Sequence, residues 1–290
     1  MIDYLATSPA AFTTAVFVFS LLIGSFLNVV IYRVPVMMHR AWALEVAEFN
    51  EDGKLLAKLN KEPAFNLVTP DSTCPHCGHQ IRAWENIPLV SWLALRGKCS
   101  ACAKAISVRY PVVELTTALL STAVAWYFGW SASTLALIPL IWVLVVLTLI
   151  DFDTQLLPDN LTLPLLWAGL VLNTQAVFVS LDSAVIGAVA GYLSLWSIYW
   201  LFKLITGKDG MGYGDFKLFA AFGAWFGWVA LPLIILLSSL VGAVVGITMI
   251  VSLGRDRQIP IPFGPYLCGA ALVYIFWGQA IMGWYLGSMF

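Results

Sequence analysis

The sequence predicts an all-α polytopic membrane protein with about eight transmembrane helices and one small polar domain in its first cytoplasmic loop. Of its 290 residues, 60% are hydrophobic and only 11% are charged, whereas an ordinary soluble domain is about half apolar and about a quarter charged. Long apolar runs recur along the chain and are long enough to cross a bilayer. A single water-soluble core of this size could not bury so much apolar surface.

The apolar runs place eight spans along the chain. The first run follows Asp3 and no Lys or Arg, so it predicts a retained span and not a cleavable signal peptide, which would begin with a positive segment. The sixth run is short and rich in glycine. The spans lie near residues 10–31, 112–129, 132–150, 160–179, 183–204, 217–230, 232–252 and 264–286.

The basic residues predict the orientation of these spans. Lys and Arg concentrate in cytoplasmic loops, and ten of the fifteen lie between Arg33 and Arg109. With eight spans, the other five fall on the same side, and the loops near Trp130, Asp182 and Trp228 contain none. The sequence therefore predicts that the 33–110 loop is cytoplasmic and that both termini are periplasmic. The other five are Lys203, Lys208, Lys217, Arg255 and Arg257.

This topology divides the chain into three parts: a first span at 1–32, a cytoplasmic loop domain at 33–110 and a seven-span membrane domain at 111–290. Within the loop, Met37 to Glu62 predicts a charged helical stretch, and Pro70 to Tyr110 contains four of the five cysteines. The net charge is -1 and no basic stripe is present, which argues against a nucleic-acid partner and leaves the lipid bilayer as the expected surrounding.

Two Cys-x-x-Cys pairs in this loop predict a structural zinc site. Pairs of thiolates at this spacing are typical of a tetrahedral Zn²⁺ site, and Gly78 after the first pair permits a tight turn. Disulfides are disfavoured because the predicted compartment is reducing. Four cysteine ligands leave no open position, so the predicted role is structural. The ligands are Cys74, Cys77, Cys99 and Cys102.

Other candidate ligands have simpler interpretations. His76 and His79 lie close enough to replace a cysteine, but we interpret them as surface residues of the first pair. Cys268 lies in an apolar run and is interpreted as a small buried packing residue.

Acidic residues at the ends of two spans are candidates for catalysis. Asp151, Asp153 and Asp159 follow the third span, and Asp215 precedes the sixth. Carboxylates at or in a bilayer are costly and tend to mark function. Two adjacent carboxylates cannot both ionise freely, so one can act as an acid and the other as a base. Residue chemistry alone leaves structural roles open: Asp159, after Pro158, could cap a helix, and Asp153 could be solvated.

Rival classes make different predictions. The three histidines all lie in the large loop, away from any Gly-x-Ser-x-Gly or His-Glu-x-x-His sequence, which disfavours a serine hydrolase or a zinc metallopeptidase. A transporter would place its carboxylates near the bilayer midplane, whereas these lie at span ends. A scaffold with a zinc-bound loop would leave the acidic segments unexplained.

Several segments resemble the bacterial type IV prepilin leader peptidases. Gly212-Tyr213-Gly214-Asp215 matches the Gly-x-Gly-Asp motif of intramembrane-type aspartic peptidases. The acidic segment 151–159, the paired cysteines in the first cytoplasmic loop and the eight spans follow the same order as in that family. Further matching stretches are Gly24-Ser25-Phe26-Leu27-Asn28-Val29-Val30 and Pro262-Phe263-Gly264-Pro265.

The resemblance implies a bifunctional enzyme of the bacterial inner membrane. Such enzymes cut the basic leader from type IV prepilins and type II secretion pseudopilins, after a Gly and usually before a Phe, on the cytoplasmic side. They then N-methylate the new amino terminus with S-adenosylmethionine. The family's catalytic aspartates fall on Asp151 and Asp215. No Rossmann fingerprint marks a methyl-donor site, and the nearest candidates are Gly97 and Lys98 in the zinc-bearing loop.

Overall fold

The computed structural model describes residues 2–253 and 261–287 and divides into two compact units, Met1–Ala123 and Val124–Phe290. Within the described residues the regular structure is helical, apart from two isolated antiparallel bridges. The predicted all-α class is therefore confirmed. Arg255 and Arg257, which contribute to the predicted orientation, lie outside the described residues.

The first unit is organised around one long helix, α2, of 41 residues. At 1.5 Å per residue it is about 60 Å long, about twice the thickness of a bilayer's hydrocarbon core, so it must extend beyond the membrane. The helices of this part of the chain are α1 (Ile2–Thr7), α2 (Pro9–Phe49), α3 (Gly53–Leu59), a 3-10 turn (Ala83–Asn86), α4 (Val90–Ala94) and α5 (Arg109–Phe128).

Helix α2 passes through Pro35 without a break, which the sequence did not predict. A first span ending near residue 31 and a separate charged helical stretch from Met37 to Glu62 were expected. Proline and the residue before it also disfavour a helix interior. Tertiary contacts override that preference. Val34 and Pro35 are buried, and the buried Arg33 guanidinium donates hydrogen bonds to the carbonyl oxygens of Asn66 at 2.8 Å and Pro70 at 2.6 Å.

Close packing of α2 against α5 accounts for the small residue at the start of the 24–30 segment. A Cβ on Gly24 would lie 2.8 Å from the Cα of Glu114, so only glycine fits. Nearby, the Asn28 amide donates to the Tyr110 carbonyl at 3.2 Å. Glu114 is itself buried and accepts a hydrogen bond from the Leu89 backbone amide at 2.9 Å. Glu114 was not among the predicted site residues, although its charge lies inside an apolar segment of the sequence.

The second unit has α9 at its centre. All but one of the residues from Asp215 to Phe226 are buried, and α9 packs against both α7 and α8. The helices are α6 (Ala132–Thr154), α7 (Asp159–Asn173), α8 (Leu181–Thr206), α9 (Tyr213–Phe226), a 3-10 turn (Trp228–Ala230), α10 (Leu231–Leu253) and α11 (Gly264–Gly287).

Glycines bring α8 and α9 into backbone contact along an antiparallel crossing. Gly187 faces Gly223, and a Cβ on either residue would collide with the backbone of the other. A Cβ on Gly191 would lie 2.8 Å from the Phe219 carbonyl oxygen. Because Gly187, Gly191 and Gly223 have no side chains, the two backbones approach closely, and α9 is buried within the unit.

Helices α7 and α9 run side by side in the same direction. Their first turns are joined by an ion pair between Asp159 and Lys217. At their other ends, the buried Asn173 amide donates to the carbonyl oxygens of Ala224 at 2.8 Å and Trp225 at 3.0 Å. The first turns of α7 and α9 therefore lie side by side, and so do their last turns.

Six helices in the described residues are long and apolar enough to cross a membrane: α2, α5, α6, α8, α10 and α11, the α10 span counted from Trp228. Helices α7 and α9, with 15 and 14 residues, are only about 21–23 Å long, less than the about 30 Å of a hydrocarbon core. Helices are present at all eight predicted spans, but the number that cross the bilayer stays a prediction. The sequence indicated the shortness of the sixth span, which corresponds to α9, but not that of α7.

Candidate active site

Asp151 lies in the last turn of α6, where its side chain is only 4% exposed. Asp153, two residues on, is exposed, because successive helical residues turn by about 100° and these two point to opposite sides. The helix ends just beyond them, where Gln155 adopts a left-handed conformation with φ 56° and Pro158 follows.

Asp215 lies in the first turn of α9 and is 7% exposed. The preceding Gly212 occupies the N-cap position in an extended conformation. A Cβ on Gly214 would lie 2.6 Å from the Cβ of Leu157, so glycine at this position lets the start of α9 approach the α6–α7 turn. The glycines of this segment thus serve close packing around the carboxylate.

The structure brings Asp151 and Asp215 together. Their carboxylates lie close enough for the charge of Asp151 to act on Asp215, and both lie near Cys268, which is 1% exposed in α11. The interpretation of Cys268 as a buried packing residue is confirmed. Within the part of the chain that the structure describes, Oδ1 of Asp215 is buried and has no hydrogen-bond partner. A buried acceptor of this kind is costly unless something binds it.

Gly264, the first residue of α11, completes this cluster. Its backbone N–H donates a hydrogen bond of 2.9 Å to Oδ2 of Asp151, across 113 residues of sequence. A carboxylate at a helix N-terminus is also favoured by the helix dipole. The sequence of segment 262–265 matched the family but gave no sign of this contact.

Asp159 is not the N-cap of α7, contrary to the interpretation left open from the sequence. Pro158 occupies that position, and Asp159 is the first helical residue. Its carboxylate accepts two hydrogen bonds from Lys217 Nζ, at 2.6 and 2.7 Å. Asp159 is exposed, so it lies outside the buried pair formed by Asp151 and Asp215.

The loop that precedes α9 is fastened to the end of α8, which the sequence did not reveal. Asp209 accepts hydrogen bonds from the Tyr199 hydroxyl at 2.5 Å and from Lys203 at 2.8 Å. The bond from Lys203 and then that from Tyr199 lower the pKa of Asp209. Gly210 packs on the ring of Phe202, where a Cβ would lie 2.7 Å away. These contacts order the backbone that leads to Asp215.

The four predicted cysteines form a separate cluster that could hold a metal ion. All four sulfur atoms lie within 4.8 Å of one another, and two cross pairs are 3.9 Å and 4.0 Å apart. A tetrahedral zinc site with Zn–S bonds of about 2.3 Å requires S···S separations of about 3.8 Å. The arrangement therefore fits the predicted ion. The pairs are Cys74 with Cys102 and Cys77 with Cys99.

The two Cys-x-x-Cys segments, residues 74–77 and 99–102, form two knuckles with the same backbone geometry. Cys74 N–H donates to the His79 carbonyl at 2.9 Å, and Cys99 N–H donates to the Lys104 carbonyl at 2.8 Å. The fourth residue after each of these cysteines has a positive φ, 70° at Gly78 and 56° at Ala103. The turn predicted at Gly78 is confirmed.

Backbone amides prepare the first cysteine of each knuckle to be a thiolate. Hydrogen bonds from His76 and then Cys77 lower the pKa of Cys74 to about 7, and those from Cys102 and Ala101 lower the pKa of Cys99. The His79 amide acts likewise on Cys77, but desolvation and the other three thiols raise the pKa of Cys77 to about 12. Four thiolates therefore require a cation to neutralise them.

A polar network links the two knuckles. Glu85 accepts hydrogen bonds from the Ser100 hydroxyl and the Arg82 amide, which together with His79 lower the pKa of Glu85 to about 2. His79 lies 3.2 Å from Glu85 and 3.3 Å from Ser100. His76 is exposed. Both histidines thus lie at the periphery of the sulfur cluster.

The candidate methyl-donor residues lie in the turn before the second knuckle. Gly97 is buried with φ 66°, and a Cβ there would lie 2.9 Å from the Trp92 ring. Its N–H donates to the Trp92 carbonyl and its carbonyl accepts from Ile106. Lys98 is exposed. Tight packing and a positive φ therefore explain why a glycine occupies position 97 without any role in binding a methyl donor.

Comparisons with known proteins show the family of the chain. A model of the bacterial peptidase A24 N-terminal domain matches residues 18–128, and a model of the type IV leader peptidase family matches residues 137–247. The chain is 57% identical to a protein of Stutzerimonas stutzeri over 98% of this chain and 97% of the relative. The chain belongs to the type IV leader peptidase family.

Two further relatives have the same extent of similarity. A Pseudomonas aeruginosa protein is 56% identical over 99% of this chain and 97% of its own length, and an Aeromonas hydrophila protein is 58% identical over 96% and 95%. All three are named prepilin leader peptidase/N-methyltransferase. No solved structure matches the chain.

Proposed function

We propose that this chain cleaves the leader peptide of type IV prepilins with Asp151 and Asp215 as its catalytic pair, and then N-methylates the new amino terminus. The observation that carries the proposal is the meeting of two buried carboxylates, one of which has a buried oxygen without a partner among the described residues. Such a pair provides a base to activate water and an acid to protonate the scissile carbonyl. The relatives' name supports both activities.

The location of the pair suits a substrate with a basic leader and an apolar stem. Asp151 ends α6 and Asp215 begins α9, so both lie at one end of the second unit. A stem that stays in the bilayer would present its scissile bond at that interface. Pseudopilins of type II secretion have the same design and are proposed as further substrates.

The metal and the methyl donor have distinct roles in this proposal. Zn²⁺ held by the four cysteines stabilises the loop, since four thiolates leave no open coordination position. S-adenosylmethionine supplies the methyl group. Gly97 and Lys98 are the candidate donor-site residues, of which Lys98 is the accessible one.

The purified protein should cut a peptide that has a basic leader, a Gly–Phe junction and an apolar stem. Mass spectrometry should find the cut after the Gly, and adding S-adenosylmethionine should raise the mass of the Phe-terminated product by one methyl group. A matched peptide without the apolar stem is the control. Folded, zinc-loaded protein that leaves the full peptide intact would contradict the proposal.

We propose that the catalytic end of the second unit faces the cytoplasm of a bacterial inner membrane. Lys203 and Lys217 lie at that end through their pairing with Asp209 and Asp159. The opposite end contains Ser133, whose hydroxyl donates to the Val177 carbonyl at 3.3 Å. The loops at that end, near Trp130, Val177 and Trp228, contain no Lys or Arg. Cytoplasmic ends are the ones enriched in Lys and Arg.

Reporter fusions should test this orientation. Fusions at Trp130 and Asp182 should report the periplasm, and a fusion at Asp71 should report the cytoplasm. A periplasmic signal at Asp71 would reverse the orientation and remove the argument from a reducing compartment.

A further inference from the structure

Gly264 lies outside both acidic segments but contacts one of their carboxylates. Resting on the proposed function, we propose that Gly264 is a positioning residue for the peptidase reaction. Its amide fixes one oxygen of Asp151, and its lack of a side chain leaves the room that this carboxylate occupies.

The hydrogen bond is the first support for this role. The Gly264 N–H donates to Oδ2 of Asp151 at 2.9 Å, in a buried position. Because Gly264 is the first residue of α11, its N–H has no partner within its own helix and is available to the carboxylate. A hydrogen bond to an ionised oxygen favours the charged form of the acid, and this one also fixes the position of Oδ2 of Asp151.

Steric fit is the second support. A Cβ at position 264 would lie 2.7 Å from Oδ2 of Asp151, closer than real Cβ atoms approach an oxygen, and 3.1–3.2 Å from the methyl groups of Leu157. Leu157 also packs against Gly214: a Cβ on Gly214 would lie 2.6 Å from Cβ and 3.4 Å from Cδ1 of Leu157. Since Leu157 has little room to retreat, an added methyl group has to displace the carboxylate.

Each carboxylate has one backbone partner, Gly264 for Asp151 and Gly212 for Asp215, and Oδ1 of Asp215 has no partner among the described residues. In the proposed reaction Asp151 is the base and Asp215 carries the proton of the pair. As the water oxygen bonds to the scissile carbonyl carbon, one water proton passes to Asp151 and the Asp215 proton passes to the carbonyl oxygen. The resulting diol breaks its C–N bond, the amine takes the proton from Asp151, and one hydroxyl proton returns to Asp215.

The chain contains a matched control in the same helix. A Cβ on Gly269 would meet no atom within 4 Å, so Gly269→Ala makes the same chemical change in α11 without the collision. Gly264→Ala should lower kcat on the prepilin peptide about 10²-fold, the effect of displacing a catalytic group by about 1 Å. Its KM should stay within about twofold, because the leader and the stem bind elsewhere. Gly269→Ala should cleave like the wild type.

Thermal unfolding provides a readout that a merely structural glycine would not give. Gly264→Ala should lower Tm in the wild-type background but not in an Asp151→Ala background, where the colliding oxygen is absent; residues in contact couple in this way. If Gly264→Ala alone does not accumulate, its recovery by Asp151→Ala supports the proposal. Equal losses of Tm in both backgrounds, or failure to accumulate in both, would overturn it.

The activity assay tests the positioning role of Gly264 separately from the proposed catalytic pair. A wild-type kcat for Gly264→Ala, or a rise in KM that accounts for the whole loss, refutes the positioning role. If Asp151→Asn abolishes cleavage in the same assay, the proposed function stands even though the positioning role of Gly264 does not. If Asp151→Asn also cleaves normally, the proposed catalytic pair itself is wrong.

Discussion

Asp151→Asn and Asp215→Asn should each reduce prepilin cleavage at least about 10³-fold, because the two carboxylates act as a unit and neither role survives without a titrating acid. Asparagine keeps the shape of the side chain and removes only the proton exchange. Both side chains are buried and interact with each other, so neither loss can be made good by bulk water. The measurement is single-turnover cleavage of a prepilin peptide by purified protein.

Asp153→Asn is the matched control for this experiment. It makes the same change in the same helical turn as Asp151, but at an exposed side chain on the other side of α6. It should leave cleavage unchanged. Asp159→Asn should also retain cleavage, since its exposed pairing with Lys217 contributes little. Normal cleavage by Asp151→Asn together with loss in Asp153→Asn would mean that the pair is misassigned within the turn.

Cys77→Ser should remove the zinc ion and loosen the loop domain. The four sulfur atoms lie at the separations that a tetrahedral thiolate site requires, and binding of a structural metal is part of the folding free energy of such a domain. We expect zinc to fall from one ion per chain to none, protein abundance to fall, and activity to weaken indirectly. Metal analysis of the purified protein and limited proteolysis of the loop provide the measurements.

His76→Ala is the control that distinguishes loss of a zinc ligand from a general disturbance of the first knuckle. His76 lies between Cys74 and Cys77 and is exposed, so its removal should leave one zinc ion per chain and normal abundance. Zinc retained by Cys77→Ser, or zinc absent from folded, active wild-type protein, would show that the cysteines do not form a structural site.

The features that the sequence predicted correctly depend on local or periodic patterns. Apolar runs mark helices wherever they occur, and the spacing of Cys74, Cys77, Cys99 and Cys102 is sufficient to indicate a metal cluster. Burial of Cys268 follows from the apolar run around it. Each of these signals lies within a few tens of residues.

The features that the sequence missed depend on contacts between distant segments. The bond from Gly264 to Asp151 joins residues 113 positions apart, and a glycine gives no local sign that its missing side chain accommodates a carboxylate. Helix α2 continues through Pro35, and the neighbouring Arg33 binds two carbonyl groups more than 30 residues away. Asp159 suggested an N-cap by its position after Pro158, but a partner 58 residues away, Lys217, binds it instead.

The shortness of α7 and α9 has a consequence for how a hydrolase in a membrane obtains water. Their 15 and 14 residues fall about 8 Å short of the hydrocarbon thickness that the longer helices span. If both helices cross the bilayer, a mismatch of this size is met by a thinner bilayer beside α7 or by a hydrated depression over the end of α9. Either one would shorten the layer of lipid tails above Asp215 and give water a short path to the proposed catalytic pair.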